Sequence, residues 1–93
     1  MPAVCRIGDA NVPHCSGMVQ EGGSGNVFAN GIGISRVGDK NTTHKMPGNP
    51  CPSEAIPISA GSGSVFVNGK GCGRVGDPTC TKIAAGSGNV FAG

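Results

Sequence analysis

The chain has 93 residues, among them 18 Gly, seven Pro, five Cys and three Phe, with no Trp or Tyr and a formal net charge of +2. That length makes one domain with a meagre core, of the kind that needs a disulfide, a metal or a partner as a staple. The weak positive charge and the lack of stacking aromatics argue against nucleic-acid binding. No apolar run is long enough for a membrane helix.

Met1-Pro2 leads straight into framework sequence with no apolar leader, so synthesis in the cytoplasm is expected. Five cysteines in that compartment are expected as thiols or ligands rather than disulfides. Ala3 to Ile7 reads as a short strand, and Arg6-Ile7-Gly8-Asp9 as the turn that ends it. A loop containing His14 and Cys15 follows. The phrase GSGNVFANG spans Gly23–Gly31, and its Asn30-Gly31 pair is a strong hairpin signal, because both residues tolerate positive φ. Ile32 to Val37 is the return strand and ends in a second turn, Arg36 to Asp39. The longest loop then carries His44 and Cys51. GSGSVFVNG at Gly61–Gly69 repeats the hairpin, Lys70 to Val75 returns, and Arg74 to Asp77 makes the third turn. Cys80 lies in the short loop that follows, and GSGNVFAG closes the chain at Gly86–Gly93. Glycine interrupts every stretch that could show helical periodicity.

Two phrases therefore alternate three times. Internal repetition of this kind outranks other signals in fixing a fold. Phe28 to Arg36 and Phe66 to Arg74 are each eight residues apart, and joining Gly93 to Met1 restores the same spacing between Phe91 and Arg6. The sequence thus predicts an all-β fold of three hairpins with pseudo-three-fold symmetry, the third built from the two chain ends. An open stack would instead want capping units. From arginine to the next repeated glycine the chain runs 17, 25 and 12 residues, so these segments are loops on a constant framework. Phe28, Phe66 and Phe91 are expected in the core. The three Arg-x-Gly-Asp elements read as turn-end ion pairs, of little worth if exposed.

His14 lies five residues after Asp9, His44 five after Asp39, and Cys80 three after Asp77. Three-fold symmetry brings these loops together near the axis. With Cys51 from the longest loop, His14, His44 and Cys80 can close a four-ligand Cys₂His₂ site, the composition of structural Zn²⁺. Sulfur and imidazole also accept Fe. Cys15, beside His14, is the rival for the fourth position. A site with four protein ligands implies no open position for catalysis, and Ser, His and Asp are nowhere ordered as a triad, so no enzyme is expected. Cys5 and Cys72 sit in framework strands and read as small buried hydrophobes. Gly71 to Gly76 matches G-x-G-x-x-G, but it lies inside a predicted strand with no helix after it, and is assigned to chance.

The Arg-x-Gly-Asp and GSG-x-VF-x-NG elements, with the His/His/Cys loop positions, resemble the PAAR-repeat family of spike-tip proteins. That family sits on contractile phage tails and type VI secretion systems. The namesake Pro-Ala-Ala-Arg is degenerate here: Pro2-Ala3-Val4-Cys5-Arg6 is nearest, with Gly33-Ile34-Ser35-Arg36 and Gly71-Cys72-Gly73-Arg74 elsewhere. The resemblance covers essentially the whole chain. It implies one domain over 1–93, with repeats at about 1–31, 32–69 and 70–93 closed by pairing of the terminal strands. It further implies a small cone with the metal near its vertex, where Cys51 stands in place of an expected His. The partner it implies is a trimeric β-helical spike, one copy of this chain per trimer, with only transient contact with the target membrane and no small-molecule substrate. The role it implies is mechanical: to sharpen the spike and help pierce a cell envelope. With repeats reaching both termini, a dedicated phage-tail tip is expected ahead of a type VI secretion tip. A free-standing zinc-binding interaction domain is the rival class.

Overall fold

In the computed structural model, residues 1–13, 17–45 and 53–93 are described. Their secondary structure is all strand: β1 (Phe28–Ala29), β2 (Ile32–Gly33), β3 (His44–Lys45), β4 (Ser53–Glu54), β5 (Phe66–Val67) and β6 (Lys70–Gly71). They pair antiparallel as three hairpins, β1–β2, β3–β4 and β5–β6. Among the described residues no helix is long and apolar enough to cross a membrane. The molecule is elongated, 39 × 23 × 21 Å.

The repeat is visible in the backbone. Phe28 pairs with Gly33 and Phe66 with Gly71, and the matching third pair is Ala3 with Phe91, from opposite ends of the chain. The Asn-Gly turns take the predicted form, with φ of 55° and 75° at Asn30-Gly31 and 54° and 78° at Asn68-Gly69. The hairpins are shorter than the sequence suggests. After two residues each return segment leaves its own partner and bridges a neighbouring repeat, at Arg6–Ile34, Arg36–Cys72 and Val4–Arg74. Circling a tight axis forces this, because a segment cannot face its own hairpin and its neighbour at the same position.

Both signature phrases are explained by contacts. In Arg-x-Gly-Asp the aspartate N–H donates to the arginine carbonyl at 2.9–3.0 Å, and the intervening glycine has φ of 90–94°. The aspartate carboxylate in turn accepts from the arginine backbone N–H at 2.8 Å and from the guanidinium. These pairs are half-buried rather than exposed, with side-chain exposures of 10–21 %. Arg6 and Arg36 also reach across to Asn30 and Asn68 of the neighbouring hairpin. In the GSG phrase each serine hydroxyl accepts backbone N–H groups two and three residues on, as in Val27 N–H to Ser24 Oγ at 2.9 Å. It donates to the next hairpin's tip: Ser24 to Asn68, Ser87 to Asn30, and Ser62 to the Gly93 carbonyl, which takes the asparagine's place. The constant spacing of the repeats thus ties each one to the next.

Among the described residues the core is two small clusters. Val4, Ile34 and Cys72 pack with Ala29, Val67 and Ala92, so two sets of three equivalent positions meet at the axis. Cys5, Ile58 and Ile83 form the second cluster. Burial pushes the Cys5 thiol up to about 12 and raises Cys72 as well, in keeping with inert framework thiols. The three phenylalanines are not in the core. Phe28, Phe66 and Phe91 are 56, 60 and 49 % exposed, and the buried position is the next residue along, Ala29, Val67 or Ala92. The strand alternates faces, and three benzyl groups would not fit around so narrow an axis.

The first glycine of each GSG phrase allows the repeats to touch. A Cβ on Gly61 would lie 2.7 Å from the Cys72 carbonyl oxygen, and one on Gly86 2.7 Å from that of Val4. A Cβ on Gly63 would meet nothing within 4 Å. Gly61→Ala is therefore expected to destabilise the fold by about 2 kcal/mol or more, while Gly63→Ala stays close to wild type. Thermal unfolding of the two variants side by side checks this, and equal melting temperatures would contradict the packing described.

Candidate metal centre

Above the apolar clusters lies a buried polar layer, again drawn from all three repeats. Asn11, Asn41 and Thr79 each stand two residues after their turn aspartate. Asn41 donates to Asn11 Oδ1 at 3.2 Å and Thr79 to the same oxygen at 2.8 Å, while Asn11 donates to Gln20 at 3.0 Å. Asn41 Oδ1 accepts the Ile56 N–H at 2.8 Å, which fixes the returning chain of the longest loop. Buried amides and hydroxyls are costly unless paired, and every such side-chain atom among the described residues has a partner.

Asn41 also donates to Cys80 Sγ at 3.7 Å, and this contact leads to the next layer. Cys80 Sγ lies 3.3 Å from His44 Nε2. Glu54 Oε2 lies 2.9 Å from the same nitrogen. The ligand atoms of His44, Glu54 and Cys80 all fall within 4.8 Å of one another. The cluster stands at the opposite end of the succession of layers from the exposed phenylalanines. Local structure explains the pairing. β3 and β4 place His44 directly opposite Glu54, so their side chains share one face of the hairpin. Cys80 arrives from the short loop after the third turn.

The electrostatics favour a cation. His44 Nδ1 lies 2.8 Å from the Thr42 carbonyl. A carbonyl only accepts, so Nδ1 carries the proton and a neutral His44 turns the Nε2 lone pair toward Cys80 and Glu54. Side-chain exposure is 0 % for His44 and 10 % for Glu54. Burial pushes the Cys80 thiol up, the Glu54 carboxylate adds to this, and the Asn41 amide opposes it. Nitrogen, oxygen and sulfur lone pairs converging in a buried site need positive charge between them, supplied by a proton or a metal ion. Imidazole, thiolate and carboxylate together suit Zn²⁺ or Fe²⁺.

The structure thus brings together two of the four residues nominated from sequence, His44 and Cys80. His14, Cys51 and the rival Cys15 lie outside the described residues. Glu54 was missed. Its signal was faint: one carboxylate ten residues beyond His44 in a loop of unpredicted shape, visible only once β3 and β4 are paired.

Fold and site define a small, pseudo-three-fold β protein with a potential metal-ligand group at one end and constant hairpins at the other. The family model described as the PAAR motif matches residues 7–80, and the chain belongs to that family. It is a spike-tip protein of the phage-tail and type VI secretion kind. No curated protein matches the chain.

His44→Ala is expected to release bound metal and to lower stability by several kcal/mol, as loss of a structural ligand does. Cys72→Ser, in the apolar cluster, is expected to keep the metal. Metal content and thermal unfolding of both variants test the assignment. Metal retained by His44→Ala, or lost by Cys72→Ser, would contradict it.

Proposed function

We propose that the chain caps a trimeric β-helical spike on a contractile phage tail, one copy per trimer, and presents a metal-fastened point to the target envelope. The metal is Zn²⁺ on this reading. His44 and Cys80 supply two ligands, and the sequence nominates His14 and Cys51 for the other positions. The role is structural, in line with the family.

One observation carries the docking end: Phe28, Phe66 and Phe91 stand exposed at equivalent positions of three hairpins. Val65 and Ile32 are exposed beside them, and Val27 and Val90 are only partly covered. Apolar surface repeated around an axis suits a partner with the same symmetry, because one chain can then make similar contacts with three subunits. Large exposed apolar groups on a small protein mark an interaction site. The ligand-bearing end offers no such repetition, since its loops differ in length and chemistry.

The stoichiometry separates a spike-capping role from a free-standing zinc-binding domain. Native mass spectrometry of the chain with its cognate spike is expected to give one chain per spike trimer. Replacing Phe28, Phe66 and Phe91 together with Ser should weaken the complex by about 100-fold or more while metal content stays unchanged. Three chains per trimer, or binding insensitive to the phenylalanines, would contradict the proposal.

A further inference from the structure

We infer that Glu54 is a metal ligand, and that this carboxylate fills the position the sequence assigns to Cys51. The inference deepens the metal site of the proposed function and rests on that reading.

Three observations support it. The β3–β4 register sets His44 against Glu54, so the carboxylate reaches the site on the same hairpin as a ligand histidine. Its Oε2 lies 2.9 Å from His44 Nε2, and Cys80 Sγ lies 3.3 Å from the same nitrogen. Ligand atoms around a tetrahedral Zn²⁺ stand about 3.3–3.6 Å apart, given bonds of about 2.0–2.3 Å. Both distances from His44 Nε2 fall within a few tenths of an ångström of that spacing.

With the Glu54 carboxylate already in the site, charge disfavours a second thiolate beside it. One thiolate and one carboxylate, with neutral imidazoles, balance a divalent ion. Adding Cys51 as a further thiolate would leave net negative charge in a site where the His44 side chain is fully buried and Glu54 nearly so. A single-sulfur site is also harder in character, which moves its preference from Cu(I) toward Zn²⁺ and Fe²⁺. Cys51 is then not required as a ligand.

X-ray absorption at the zinc edge of the wild-type protein counts sulfur ligands directly. The expected result is one sulfur at about 2.3 Å and three nitrogen or oxygen ligands. Zinc affinity, measured by chelator competition, is expected to fall at least tenfold in Glu54→Gln and to stay within twofold in Cys51→Ser. Two sulfurs in the wild type would overturn the inference. So would Glu54→Gln binding zinc as tightly as wild type, and circular dichroism of each variant confirms that folded protein is compared. A wild type that takes up no metal at all would instead refute the metal-fastened tip itself, before the ligand question arises.

Discussion

Three backbone hydrogen bonds closed into a ring hold this protein together. Cys5 N–H donates to the Gly73 carbonyl at 2.9 Å, Gly73 N–H to Ser35 at 2.9 Å, and Ser35 N–H to Cys5 at 3.0 Å. The three residues are equivalent, each standing just before a turn arginine. Every repeat thus completes a bond that its neighbour cannot make alone. A two-residue hairpin is too short to persist by itself, so the repeats fold together or not at all. The ring also requires very close approach. A Cβ on Gly73 would lie 2.8 Å from the Ser35 carbonyl oxygen and 2.9 Å from Ile58 Cδ1. Glycine abundance, which resembles low complexity by composition, here serves positive-φ turns such as Gly8, Gly38 and Gly76 and close approaches such as Gly61, Gly73 and Gly86.

From this ring the chemistry changes from one layer of contacts to the next. On the hairpin side the layers are small and apolar, ending in exposed phenylalanine. On the other side come Ile58 and Ile83, then the buried amides of Asn11 and Asn41, then His44, Glu54 and Cys80. Apolar burial suffices where three constant segments meet. It fails where loops of unequal length converge, since no repeated side chain fills the space. Directional polar contacts replace it there, and Asn41 joins the two regimes by bonding Asn11, the Ile56 backbone and the Cys80 sulfur at once. A metal ion would complete that progression by fastening the loops of different repeats where the core is thinnest.

Much of this was legible in the sequence, because the repeat fixes positions that composition cannot. Equal spacing from Phe to Arg implied a third hairpin shared between the chain ends, and Ala3 does pair with Phe91. Asn-Gly named the turns correctly, since positive φ at both residues has few chemical solutions. Periodicity could not say which residue of Val-Phe-Ala faces the axis. A hydrophobicity argument favoured Phe, whereas the narrow axis admits only Ala29, Val67 and Ala92 beside it. The site was legible in part. His44 was marked by sharing His14's five-residue offset from a turn aspartate, and Cys80 by its place in the equivalent loop of the third repeat. Glu54 was hidden, because it reaches His44 through strand pairing within a loop that has no counterpart in the other repeats. The arginines also do more than a turn-end ion pair suggests, since Arg6 and Arg36 each reach the neighbouring hairpin's asparagine.

Native-state hydrogen exchange at the ring tests the central claim most directly. If the three repeats form one cooperative unit, the amides of Cys5, Ser35 and Gly73 exchange last and with one common free energy, equal to that of global unfolding. Distinct free energies for the three amides, with one repeat opening while the others stay protected, would contradict it.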